Sequence, residues 1–124
     1  MKELTKAEHA VMGHLWELKK AYLKDIVNNY PKPAPAYTTV STVVNILVKK
    51  GFIGFQTHGK SREYFPKVSK EQYTNHSVKG VLSSFFDNSL KNFASYFASK
   101  EELSVEDLKE LRKLIDDQIK TRQK

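Results

Sequence analysis

Tyr37-Thr38-Thr39-Val40-Ser41-Thr42-Val43-Val44-Asn45-Ile46-Leu47-Val48-Lys49-Lys50-Gly51 decides how the rest of the chain is read. Val40, Val43, Val44 and Leu47 recur at helical spacing, so they predict the buried stripe of a helix starting near Thr38 or Thr39. Gly51 is a natural stop, and Lys49 and Lys50 either complement a helix C-terminus or meet phosphates. With the valines turned inward, Thr39, Ser41, Thr42, Asn45 and Lys49 face solvent or its edges. Short hydroxyl and amide side chains of this kind can bond phosphates or base edges, and Asn can pair bidentately with adenine. They are equally common as ordinary residues of a helix's first turn. Tyr37 and Thr38 sit at the helix entrance, within reach of the same ligand.

Working back toward the N-terminus, Pro31, Pro33 and Pro35 deny a helix its N–H donors and close a short helix predicted over residues 23–29, with Leu23, Ile26 and Val27 on one face. Thr5-Lys6-Ala7-Glu8 reads as a capping box. It opens an amphipathic helix over residues 5–19, carried by Leu4, Ala7, Val11, Leu15 and Leu18. Working forward, residues 52–57 and 62–66 are extended runs around a four-residue loop, His58-Gly59-Lys60-Ser61, and predict a β-hairpin. Three helices followed by a hairpin is the order of a winged helix-turn-helix. Lys60 at the loop tip, flanked by His58 and Arg62, makes a basic wing that can follow a phosphate backbone, although a charged tip is also an ordinary solvated turn. Trp16 and Tyr64 read as partly buried aromatics.

After residue 66 the character changes. Ser69-Lys70-Glu71-Gln72 is a second capping box, opening a helix with Tyr73, Val81, Leu82, Phe85 and Phe86 that Asp87-Asn88 breaks. A further segment holds Leu90, Phe93, Ala94 and Phe97. Ser104-Val105-Glu106-Asp107 opens a last helix with Leu108, Leu111, Leu114, Ile115 and Ile119. Short helices rich in large apolar residues, with no evident core of their own, predict burial against another surface. The predicted fold is therefore mainly α with a small β-hairpin wing, divided into a DNA-binding winged helix over residues 1–67 and a helical dimerisation region over residues 68–124. Leu82, Phe85, Phe86, Leu90, Phe93, Phe97, Leu108, Leu111 and Ile115 are the expected dimer contacts.

Charge follows the same division. Between Lys19 and Lys67 nine basic residues face two acidic ones, so this window carries the entire net charge of +7, and the remaining 12 bases and 12 acids cancel. Such asymmetry is the footprint of phosphate binding, or else a solvated surface. The chain has no cysteine, which removes disulfides, Cys-ligated zinc and thiol nucleophiles. The four histidines lack metal-ligand spacing, the carboxylates of the last helix alternate with Lys and Arg as a solvated face, and no phosphate-binding glycine loop or nucleophile elbow is present. Neither an enzyme nor a cofactor or metal is expected. With no apolar run of membrane-spanning length and no secretory segment at the start, no membrane insertion and a cytoplasmic location are expected.

Leu4-Thr5-Lys6-Ala7-Glu8 with Val11-Met12 and Leu15-Trp16, then Thr39-Val40-Ser41-Thr42, Lys49-Lys50-Gly51, Tyr64-Phe65-Pro66-Lys67-Val68-Ser69, Leu103-Ser104 and Leu108-Lys109-Glu110-Leu111-Arg112 together resemble the penicillinase repressor family. The resemblance implies a bacterial repressor whose homodimer covers a promoter palindrome with its winged helices and joins through its C-terminal helices. It also implies a membrane sensor protease as a further partner, acting on an Asn-Phe pair that falls here on Tyr96-Phe97, with Tyr in the place of Asn. The family's copper-responsive branch uses cysteines that this chain lacks, and the Arg frequent near Asn45-Ile46 in the family is absent. Two other readings stay open from the residues: a winged-helix interaction module whose basic face meets an acidic protein partner, and a small-molecule pocket among Phe85, Phe86, Phe93 and Phe97, against which stands simple core packing.

Overall fold

The computed structural model describes residues 1–123. Its elements run α1 (Lys6–Leu18), β1 (Ala21–Tyr22), α2 (Leu23–Asn28), α3 (Tyr37–Lys49), β2 (Ile53–His58), β3 (Ser61–Pro66), α4 (Lys70–Phe85), α5 (Leu90–Ala98) and α6 (Val105–Arg122). The chain separates into two compact units, Met1–Val78 and Lys79–Lys124, with the boundary inside α4.

In the first unit α1 begins at the expected capping box: the Glu8 N–H donates to Thr5 Oγ1 at 3.2 Å and the Thr5 N–H donates to Glu8 Oε1 at 2.9 Å. Val11, Met12 and Leu15 of α1, Ile26 of α2 and Val40, Val44 and Leu47 of α3 close on one another and are all buried. Full burial of each such side chain contributes about 1.5–3 kcal/mol. Val43 is only half-buried, at the margin of the α3 stripe.

The end of α3 is a Schellman turn. Gly51, at φ 84, donates its N–H to the Val48 carbonyl, and the Phe52 N–H reaches the Leu47 carbonyl at 3.0 Å. Only glycine adopts that left-handed backbone at no steric cost, and the turn drops Phe52 directly into the core. The chain then enters β2 and returns as β3 in an antiparallel pair with register Ile53↔Pro66 to His58↔Ser61.

Three details differ from the sequence expectation. The helix starts at Tyr37, earlier than Thr38 or Thr39. The hairpin loop contains two residues, Gly59 and Lys60, because pairing continues through His58 and Ser61; Gly59 at φ 63 supplies the first central position of a primed turn, whose twist matches that of the strands. A third strand, β1, pairs with β3 (Ala21↔Tyr64, Tyr22↔Glu63), giving the sheet order β1-β3-β2.

The first turns of α4 belong to this unit. Tyr73 is buried, its hydroxyl donating to Glu3 and accepting the Leu4 N–H, both at 3.0 Å. Trp16 Nε1 donates to the Val68 carbonyl at 2.9 Å.

The second unit comprises the remainder of α4 with α5 and α6. Asp87 and Asn88, at φ 52 and 60, take left-handed backbone and stop α4, as the Asp-Asn pair predicts. Ser89 and Ser104 cap α5 and α6. No described residue from 79 onward is buried. Among the described residues no helix is long and apolar enough to cross a membrane.

Candidate nucleic-acid interface

At 100° per residue, Thr38, Thr39, Thr42, Asn45, Ile46 and Lys49 fall within an arc of about 120° on α3. All six are exposed. Thr42 Oγ1 donates to the Thr38 carbonyl at 3.0 Å, so its oxygen is left as an acceptor for a ligand. The N-cap of α3 is Ala36, which makes no side-chain cap bond, so the first N–H groups of this helix are not satisfied by a capping side chain.

Beside this face lies an open cleft of about 600 Å³. Tyr37, Ser41 and Asn45, one turn apart along α3, form one wall; His58, Lys60, Ser61 and Arg62 of the hairpin form the opposite wall, and Tyr22, Leu23 and Lys24 form the end. Six of the residues singled out by sequence thus meet around one concavity: Tyr37, Ser41, Asn45, His58, Lys60 and Arg62. Thr38, Thr39, Thr42 and Lys49 do not line it, and present themselves on the outer surface of α3 instead.

The electrostatics of the cleft follow from where the two acids of the basic window are engaged. The Asp25 carboxylate accepts the Tyr22 N–H at 3.0 Å, and Glu63 lies 3.3 Å from His58 Nε2. Arg62 stacks its guanidinium over Phe55 at 4.3 Å, which fixes its direction without neutralising it. Lys24, Lys49 and Lys60 have no ion-pair partner among the described residues. The face therefore offers cations, amide donors and hydroxyl acceptors together, a combination suited to a polyanion with polar edges.

Lys50 behaves differently from its neighbour Lys49. Its ammonium donates to both Glu8 oxygens, at 2.7 and 2.9 Å, and so is directed into the domain rather than toward a ligand. Burial works to raise the Glu8 carboxyl, but the Lys50 ammonium and the bonds from Thr5 outweigh it and hold the group below its ordinary value.

Sequence reasoning missed Tyr22, Leu23, Lys24, Ser61 and Tyr64 as cleft residues. Lys24 was visible as part of the basic window and Ser61 as part of the hairpin loop; the others depend on β1 pairing with β3, for which a two-residue strand leaves no periodic signal.

The expected dimer contacts all lie from Leu82 onward. Phe85, Leu90 and Ile115 are 78%, 67% and 59% exposed, and Phe97 and Leu111 are exposed as well. Leu82, Phe86, Phe93 and Leu108 are half-buried. Phe86 meets Phe93 edge-on at 5.4 Å, and Phe93 stacks on Phe97 at 6.0 Å. On α6, Leu111, Leu114, Ile115 and Ile119 line a shallow apolar hollow. Tyr96 and Phe97 sit in helical backbone of α5, with Lys100 over the Tyr96 ring at 4.3 Å.

The penicillinase repressor family profile matches residues 4–117. The methicillin resistance regulatory protein MecI of Mammaliicoccus sciuri is 25% identical over 115 residues, covering 92% of this chain and 94% of that protein. The penicillinase repressor of Bacillus licheniformis is 23% identical over 116 residues, covering 93% and 91%. Among solved structures, the DNA-binding domain of the repressor BlaI aligns with a TM-score of 0.51 at 23% identity, over 59% of this chain and 94% of that one. That alignment matches the winged-helix architecture of the first unit.

Proposed function

The chain belongs to the penicillinase repressor family, and from that premise we propose that it is a DNA-binding transcriptional repressor acting as a homodimer on promoter palindromes. The observation that carries this reading is the cleft between α3 and the hairpin, where cations without an ion-pair partner among the described residues border an exposed polar helix face. In the bound state α3 enters the major groove, Asn45 and Thr42 address base edges, and Lys60 and Arg62 follow the backbone. Tyr37, Thr38 and Thr39, at the uncapped start of α3, contact phosphate. Lys49 meets phosphate one helical turn beyond Asn45, and His58 supports the wing.

In this reading residues 1–67 hold the duplex and residues 68–124 hold the second protomer, through Phe85, Leu90, Phe97, Leu111 and Ile115. Two winged helices then face half-sites one helical turn apart, and polymerase is excluded in the cytoplasm, where the promoter lies. Loss of the dimer lifts the block. A membrane sensor protease cutting near Tyr96-Phe97 is one route to that loss, and it requires α5 to unwind locally, because the bond lies in a helix.

Fluorescence anisotropy on promoter-derived and random duplexes across a salt series tests the reading. Lys60→Ala should weaken binding on every sequence and lower the salt slope by about one. Asn45→Ala should cost about 1–3 kcal/mol on the preferred sequence and relax the base preference at one position. Equal affinity for random duplex overturns sequence-specific repression, and a lone 14.3 kDa species in light scattering at micromolar concentration overturns the dimer.

A further inference from the structure

Ile46 is 41% exposed on the outward face of α3, between Asn45 and the terminal turn that holds Lys49. The rest of that face is polar: Thr38, Thr39, Thr42, Asn45 and Lys49. An isoleucine there is no part of the core cluster. Its β-branch is mildly unfavourable in a helix, and a large part of its hydrocarbon remains in water while Leu47 beside it is fully buried. It also takes no part in the cleft, which α3 lines through Tyr37, Ser41 and Asn45 on the other flank of the outward arc. Ile46 is thus an apolar contact aimed at whatever α3 docks against.

Resting on the DNA-binding reading, we infer that Ile46 is a specificity-determining residue that selects a thymine by its C5 methyl group. That methyl is the one sizeable apolar group displayed on the major-groove edge of the four base pairs; apart from the small C5–H of cytosine, the other features there are hydrogen-bond donors and acceptors, which a hydrocarbon side chain can only desolvate. A guanine or cytosine under Ile46 leaves polar groups unsatisfied, whereas thymine offers a surface that gains from losing water. Asn45, adjacent in sequence and about 100° away on the helix, offers the complementary amide pairing to adenine. The two side chains together read an A·T-rich step, with polar readout on the flank near the hairpin and apolar readout on the far flank.

The test uses full-length protein and a randomised duplex pool of about 30 base pairs, long enough for two half-sites one turn apart. After selection, each thymine of the enriched duplex is replaced singly by deoxyuridine, which removes only the methyl. One thymine per half-site should then weaken wild-type binding about fourfold, the factor for losing one buried methyl. Ile46→Ala, whose melting temperature should match wild type because the residue is exposed, should bind the thymine and deoxyuridine duplexes equally. Enrichment of a sequence whose thymines are all insensitive to deoxyuridine, or an equal loss in wild type and Ile46→Ala, overturns the inference while the repressor reading stands. A pool that is not enriched at all brings down the DNA reading, and this assignment with it.

Discussion

Residues 1–78 and residues 79–124 are both assembled from short amphipathic segments, yet their apolar side chains have opposite fates. In the first, twelve hydrophobic residues from three helices, the sheet and the start of α4 are buried, enough to fix the directions of α3 and the hairpin. In the second, Phe85, Leu90, Leu114 and Ile115 stand largely in water. Both obey the same hydrophobic effect. The difference is that a three-stranded sheet ties distant segments of the first unit into one enclosed volume, whereas α5 and α6 keep much of their apolar faces exposed. The first unit encloses a core; among its described residues the second encloses none.

The sharpest way to break that contrast is to open the platform. Leu47→Ala removes a fully buried side chain of α3 and should cost about 2–5 kcal/mol in urea unfolding. The same truncation at Ile115 should leave the far-UV spectrum and the unfolding of the first unit unchanged. Its effect should fall on self-association, weakening a dimer by about 1.5–3 kcal/mol per buried copy in sedimentation equilibrium. If Ile115→Ala instead destabilises the isolated protomer, the α6 face is packed internally and the contrast fails.

A smaller effect sharpens the picture of what secures α3. Glu8→Gln should cost about 1–2 kcal/mol, because Lys50 loses a charged acceptor but is not wholly shut from water. The sign with pH is fixed by the lowered Glu8 value in the folded state. The carboxylate's contribution is fully present above the ordinary carboxylate range and is lost as pH falls through the folded value. Wild type should therefore lose stability on acidification more steeply than Glu8→Gln, and parallel acid limbs would show the pair to be energetically idle.

Much of the fold was legible because its punctuation is local. Thr5 and Glu8 mark the start of α1, Pro31 and Pro33 close off α2, Gly51 ends α3, and Asp87-Asn88 ends α4, each through backbone chemistry within a few residues. What escaped depends on distance in the chain. The Ala21↔Tyr64 pairing spans 43 residues and involves a strand too short to show alternation. Glu8 and Lys50 are 42 apart, and each already had a local role as cap or helix-terminal cation. At the candidate interface, helical periodicity sorted the inward and outward faces of α3. It did not single out Ile46, because an apolar residue next to Leu47 reads by default as core.

Trp16 is the chain's single tryptophan, held by its indole N–H on the Val68 carbonyl and tilted 6.2 Å from the ring of Tyr73. Nature has thereby installed one ultraviolet lamp at the seam where α1 receives the strand-to-helix junction. Its emission should redshift when that seam opens, so a single wavelength follows the melting of the first unit.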